Sequence, residues 1–550
     1  MQPGRRRPAS NTPYLWPVLL IAVLGLPLLY STAAAVMAGA DLLAWQQLFA
    51  GRSTWTALGL SIWTGVTATA LAFGATSWML SKAFPGPRWP RLVRVLGPML
   101  ATPHTAFAIG MVFLLAPSGW LLRLVSPWAT GFQAPPSWST TQDPWGLGLI
   151  VVLAAKEVPF LLWVAASHLQ RADETQRLSR DLQVARSMGY GAGIAWWRVV
   201  WPQLWPRLRW PMLAVLTYSM TVVDVALVIG PGSPPTLAVL AWTWLLDADL
   251  ATNAQGAAAA WLLALAVVAV ASLFWQLVKL KSWGKRRTSG RRGAISAGRR
   301  APTAIYSIQT LIGLYAVVML ALAAGSVSGV WTFPELVPQT FSLDAWRSVF
   351  ASASTVITTL TLGVASGVAA LIWSVAWLEA APPRWDALLR RVVYLPLVLP
   401  SVLWVIGVHS TALRLGMDGR WIGLWLAHTL ASVPYVLVTL SPAYSGFDPR
   451  YRFITATLGR GRAAFLWHVK WPLLRASLAS AFAVGFAVSV AQYLPTLFIG
   501  AGRFATVTTE AVTLASGAQR SLTSAYAWLQ WLLPVLGFWL AAWAGKPRRF

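Results

Sequence analysis

From Tyr14 to Met37 the chain carries no charged side chain, and eleven further apolar stretches follow it. A helical run of about 20 apolar residues matches the hydrocarbon core of a bilayer. We read spans at 14–37, 55–80, 95–116, 146–168, 209–230, 257–279, 303–325, 354–379, 392–412, 421–444, 475–498 and 525–545. Inside lipid a backbone has no water to bond, so a segment of this length must close its hydrogen bonds as a helix. The expected fold is an all-α polytopic membrane protein with about twelve transmembrane helices. Only 11% of the residues are charged, against about 25% in an ordinary soluble domain.

The net charge of +27 raises the question of nucleic acid, and the placement of the charges answers it. Threading the twelve spans puts 35 of the 43 Lys and Arg on one side and seven on the other, with Lys156 inside a span. This is the bias that orients membrane proteins with their basic loops in the cytoplasm. It implies contact with membrane lipid and no nucleic-acid partner. The absence of cysteine excludes disulfides and thiolate metal sites. The start, Arg5-Arg6-Arg7 before an apolar run, has the pattern of a signal peptide with Ala33–Ala35 as the cleavage region. The run is long for that role, so an uncleaved first helix is expected.

The chain repeats itself. "GPRWPRLVRVLGPMLATP", ending at Pro103, aligns with "PPRWDALLRRVVYLPLVLP", ending at Pro400, and "KEVPFLLW" aligns with "ASVPYVLV". Between the halves lies a basic stretch rich in Gly and Ser. The expected organisation is a first six-helix repeat over 1–280, a cytoplasmic linker over 281–301 and a second six-helix repeat over 302–550. An even number of spans per repeat lets both enter the membrane in the same sense, enclosing a path between them.

In each half a basic loop joins the fourth and fifth spans with one spacing. Gly189 precedes Val199 and Pro202; Gly459 precedes Val469 and Pro472, with thirteen positions from Gly to Pro in both. The pattern predicts a short helix, a glycine stop in a left-handed conformation, and a second helix with Pro in its first turn. These loops resemble the E-A-A-x(3)-G-x(9)-I-x-L-P signature of permeases in binding-protein-dependent ABC importers. Two fused halves are similar to the permeases of the ferric-iron and thiamine importers.

The resemblance implies the type I ABC importer permease fold in a bacterial inner membrane, with both termini cytoplasmic. It implies a transport subunit rather than an enzyme. The loops would seat on a homodimer of cytoplasmic ABC ATPase subunits through Gln183, Val184, Ala185, Gly189, Val199 and Pro202, and through Phe453, Ile454, Thr455, Gly459, Val469 and Pro472. The signature's Glu is Gln183 in one copy and Phe453 in the other. No Walker A loop occurs, so ATP and Mg would belong to that partner, and no cofactor to this chain. A periplasmic or lipid-anchored substrate-binding protein would deliver the cargo.

Polar residues inside spans are costly and mark candidate paths. Lys156, Glu157, Asp224 and Gln492 are the candidates, with Asp224 expected to reach Lys156 across packed helices. On the outer rim Gly230 matches Gly500 and Thr236 matches Thr506. With Arg503 these five form the candidate dock for the binding protein. His104, His428 and His468 have no metal-ligand spacing, so no metal site is expected. An ion-driven transporter would need a carboxylate relay in matching positions of both halves, and Glu157 and Asp224 have no such counterparts. A membrane enzyme would show clustered His and acids at the membrane surface, and none is evident.

Topology follows directly. Reporter fusions after Gly290 and at the C-terminus should both read as cytoplasmic; a periplasmic signal at either point breaks the twelve-span arrangement.

Overall fold

The computed structural model describes residues 15–86, 89–170, 172–280, 303–394, 399–517 and 519–546. The linker 281–301, Arg5–Arg7 and the last four residues lie outside them. Regular structure among the described residues is helical, apart from one isolated bridge between Ser328 and Phe341. Among the described residues nine helices are long and apolar enough to cross a bilayer, and a tenth results if the bent pair Arg462–Leu473 and Arg475–Val490 is one span. The two remaining expected spans fall short for visible reasons. Ala192–Thr221 is long enough but carries Arg198, Arg207 and Arg209, and Ser401–Arg414 has only 14 residues.

Four of the expected spans need correction. The third and ninth begin later than expected. Trp89–Ala101 and Pro383–Val393 are separate helices, and the spans proper start at His104 and Ser401. The reason is Pro103 and Pro400, which lack an N–H and hold extended backbone at each junction. The fifth and eleventh are broken rather than continuous. Ala192–Thr221 stops at Val222, and a short helix Asp224–Ile229 follows; Arg475–Val490 stops at Ala491, and Leu494–Gly500 follows. Pro202 is also not in a first turn. It is the eleventh residue of Ala192–Thr221, whereas Pro472 is the second residue of the three-residue helix Trp471–Leu473. A 75° bend follows there.

The halves are joined by an exchange of first helices. In the first span (Leu15–Ala38), Ser31 sits so close to Gly407 of the ninth span that a Cβ there would lie 1.9 Å from the Ser31 carbonyl oxygen. Ser31 and Thr411 share a hydroxyl–hydroxyl bond of 2.9 Å beside it. At the equivalent place in the other half, a Cβ on Gly110 of His104–Leu115 would lie 2.5 Å from Val318 of Thr303–Ser326. Lipid offers helices no hydrophobic drive to associate, so such close backbone approach at small residues supplies the contact. Gln530 adds a buried polar tie, donating to Thr105 of the first half (2.6 Å) and Thr508 of the second (2.9 Å).

After each broken fifth span the chain turns back into the bundle as a short buried helix, Leu237–Leu245 in one half and Val507–Ala515 in the other. The first amide of each is bonded by a hydroxyl on its half's second span. Leu237 donates to Ser61 Oγ and Val507 to Thr359 Oγ1, both at 2.9 Å. Helix starts leave amides unpaired, and inside a bundle a side chain must accept from them.

Filling the glycine contact should separate the halves' packing from ordinary helix propensity. Gly407→Ala should cost about 1–3 kcal/mol through overpacking, seen as a lowered melting temperature in detergent. Gly59→Ala, whose Cβ would meet nothing within 4 Å, should hold or slightly raise it.

Candidate functional site

The two loops singled out by their Gly–Pro spacing fold alike. In the first, helix Ala172–Ser187 ends where Gly189 donates to Arg186 O (2.9 Å) and Tyr190 to Ala185 O (3.1 Å). In the second, helix Arg450–Thr457 ends where Gly459 donates to Ala456 O (3.0 Å) and Arg460 to Thr455 O (3.1 Å). This pair of bonds is the Schellman stop, which requires a left-handed residue at the turn. Gly189 has φ +86° and Gly459 φ +72°.

Ahead of each glycine an apolar pair faces outward at i, i+4. Val184 and Met188 are 58% and 59% exposed, and Ile454 and Leu458 are 56% and 73%. Phe453, where the signature has Glu, is exposed too, as is Gln183, while Ala185 is half-buried and Thr455 buried. Val199, Val469 and Pro202 are half-buried; Pro472 is exposed.

Different polar networks hold the two loops. Glu174, in the first turn of Ala172–Ser187, accepts from Arg177 (2.7 Å) and from Arg207 on the fifth span (3.0 Å), and Arg177 also reaches Gln203 (3.0 Å). The Arg207 hydrogen bond holds the Glu174 carboxyl below its ordinary range. That link is present above the usual carboxylate pKa and is lost only as pH falls through the depressed value. In the second half the hub is Glu379, at the end of Ala353–Ala380. It accepts from Lys470, from Arg462 (3.3 Å) and from Tyr444 Oη (2.6 Å), and Trp471 Nε1 donates to that same Tyr444 oxygen (3.2 Å).

In the bundle interior the candidate path residues do not meet as expected. Lys156 does not pair with Asp224. It donates to Met99 O at 2.8 Å, beside the Tyr315 ring. The partner of that carbonyl in a continuous helix would be the amide four residues on, but Pro103 has none. Lys156 is therefore a helix cap, sharing the carbonyl with the Thr102 amide (3.3 Å). Glu157 faces His104 Nε2 at 3.1 Å, and the His104 ring lies 4.7 Å from that of Tyr218. Asp224 opens the short helix after the break and is half-buried, with no ion pair among the described residues. Gln492 sits in the matching break of the second half, where its carbonyl accepts from Thr496 (2.9 Å). His428, weighed in the sequence only as a metal ligand, is buried beside this break between Ser489 (2.8 Å) and Thr496 (3.0 Å).

Four of the five expected dock residues are not on the rim. Gly230, Thr236, Gly500 and Thr506 are buried, because the two glycines sit where the short helices end and the two threonines are N-caps of the returning helices. Thr506 closes a capping box with Thr509. Only Arg503 is exposed, lying over Gly419.

No protein-family model matches the chain. It is 36% identical to the inner membrane ABC transporter permease protein YnjC of Escherichia coli (strain K12) over 551 residues, covering 97% of each chain. The chain belongs to the ABC transporter permeases. This permease is also 23% identical over 514 residues to the thiamine transport system permease protein ThiP of Salmonella typhimurium, with 90% of each chain covered. Over 127 residues it is 32% identical to the molybdenum transport system permease protein ModB of Mycobacterium tuberculosis, covering 21% of this permease and 48% of that one. It is thus the permease component of an ABC importer, a transport subunit.

Glu379 was missed in the sequence because it closes an apolar span, 83 and 91 residues from its Arg462 and Lys470 partners. Met188 and Leu458 were legible as the i+4 partners of Val184 and Ile454. If the two networks act separately, Glu379→Gln should raise trypsin cleavage after Arg460 about tenfold, since an unpaired, half-buried Lys470 opens the loop. Cleavage in Ala172–Ser187 should stay unchanged, and Glu174→Gln should give the reverse pattern.

Proposed function

We propose that this permease forms the translocation path of an ATP-driven importer and takes its working stroke through helices Ala172–Ser187 and Arg450–Thr457. The observation that carries this reading is the duplicated helix with a Schellman stop and an exposed apolar pair at equivalent positions. An exposed apolar pair at the end of a charged surface helix is what a docked partner would cover. The partners are separate ABC ATPase subunits, a homodimer holding ATP and Mg, which perform the hydrolysis. A periplasmic or lipid-anchored binding protein supplies the substrate, with Arg503 as its remaining contact on the rim.

In this reading the permease sits in a bacterial inner membrane with both termini cytoplasmic, and the repeats meet at the 281–301 linker. Glu157, Asp224 and Gln492 line the path near the two breaks, and Lys156 supports it as a cap. The names of the relatives cover thiamine and molybdenum transport, so kinship leaves the substrate open.

Gly189→Val and Gly459→Val test the coupling. A β-branched residue in the left-handed region costs about 1–2 kcal/mol, enough to redirect the exposed helix without unfolding the bundle. Uptake in cells should fall at least about tenfold, at unchanged membrane levels, while ATPase activity of the assembled importer persists without stimulation by substrate. Uptake that survives both substitutions removes the coupling role.

A further inference from the structure

At the end of the bundle opposite the coupling helices, the two halves enclose a cavity of about 390 Å³. Its position follows from connectivity. The first-half wall includes Ser118, Thr141 and Gln142, which precede Leu147–Leu169, the helix whose other end leads into Ala172–Ser187. The second-half wall includes Ser516, Arg520 and Thr523, at the start of Arg520–Ala544. The far end of that helix approaches Arg475, which donates to Lys546 O just after the second coupling loop.

The chemistry of the wall is one-sided. Among the described residues Arg520 is its one ionisable side chain, and the guanidinium donates to the Ser118 hydroxyl at 2.7 Å. Behind the wall lies a second guanidinium, Arg123, only 3% exposed. It donates to four main-chain carbonyls: Ser118 (2.9 Å), Thr332 (2.7 Å), Glu335 (2.6 Å) and Trp331 (3.3 Å). It also lies 4.5 Å from the ring of Trp331, which lines the cavity. The two arginines are near enough to act on each other electrostatically. Glu335 gives Arg123 a carbonyl, and its exposed carboxylate, outside ion-pair distance, offsets part of the Arg123 charge electrostatically. Neither arginine therefore forms an ion pair among the described residues. Carbonyls satisfy the hydrogen bonds of a guanidinium without cancelling its charge. Arg123 is out of water while Arg520 is exposed at the cavity; together they make the partly enclosed, hydroxyl- and amide-lined space positive, which favours a counter-charge that also accepts the hydrogen bonds of Arg520.

We propose that this cavity binds a small oxyanion between the halves, held by Arg520 with Ser118 and the neighbouring hydroxyl and amide groups, and favoured by the buried charge of Arg123. The volume lies near the lower end of small-molecule sites. It suits an inorganic oxyanion with its water or a compact phosphate or carboxylate, and excludes a peptide. The inference depends on the permease reading only for the anion's onward route. Binding itself needs no ATPase.

Calorimetric titration of the full-length chain in a neutral maltoside detergent tests it, with sulfate, phosphate or molybdate replacing chloride at constant ionic strength. At least one of the three should saturate at one site per chain. Arg520→Gln should weaken that binding by at least about tenfold, while Arg520→Lys, which keeps the charge, stays within a few-fold. Arg347→Gln, at an exposed pair with Asp344 that does not line the cavity, should leave it unchanged. The proposal is overturned by no saturation with any of the three, by unchanged binding in Arg520→Gln, or by a Lys variant as weak as the Gln variant. Saturation by a short-chain phosphatidylglycerol alone would assign the cavity to lipid headgroups and overturn it as well. Anion binding that persists in the Gly189 and Gly459 variants, with uptake lost or retained, keeps the two readings separately testable.

Discussion

The arrangement depends on how closely two helix backbones can approach in a solvent that does not push them together. Each half lends its first helix to the other, and each loan is accepted at an equivalent glycine, Gly110 or Gly407. At that distance the attraction is dispersion between many atoms, reinforced by one short polar contact such as Ser31–Thr411. The crossing defines where the halves face each other, and so where Glu157, Asp224, Gln492 and the cavity at the opposite end are placed.

A second constraint is that irregular backbone must find partners wherever it lies below the membrane surface. The permease breaks two spans and still meets it. Ser61 and Thr359 accept the first amides of the returning helices, and Lys156, with the Thr102 amide, caps the Met99 carbonyl that Pro103 cannot reach. Several polar side chains inside the spans are thus committed to the backbone. This narrows the candidates for substrate contact more than a count of buried polar residues suggests.

Legibility in the sequence followed the physics of each feature. Long apolar runs were readable because lipid selects on polarity alone, and the two Gly–Pro loops because a left-handed glycine and a proline are chemically special. The breaks at Val222 and Ala491 were invisible for the same reason the runs were clear: "TVVDVALV" and "AQYLPTLF" stay apolar enough to pass as continuous. Trp89–Ala101 was absorbed into the third span because its apolar face continues the run, although Pro103 marked the junction. The expected Lys156–Asp224 pair failed because its true acceptor is a main-chain carbonyl, which no residue type announces. Glu379 was hidden by distance along the chain. The threonines and glycines of the supposed rim were conspicuous by repetition, but repetition there reflected capping.

The unlike hubs around Glu174 and Glu379 have a consequence for how the molecule can vary. In a permease assembled from two identical subunits, any change at one loop appears at both, and the pair must drift together. A fused chain is released from that symmetry. Here one loop continues into an unbroken helix bearing three prolines and braced by Arg207, and the other into a 75° bend held by Lys470. A symmetric motor pressing on both would meet two levers of different stiffness, so equal pushes would be converted into unequal displacements of the two halves.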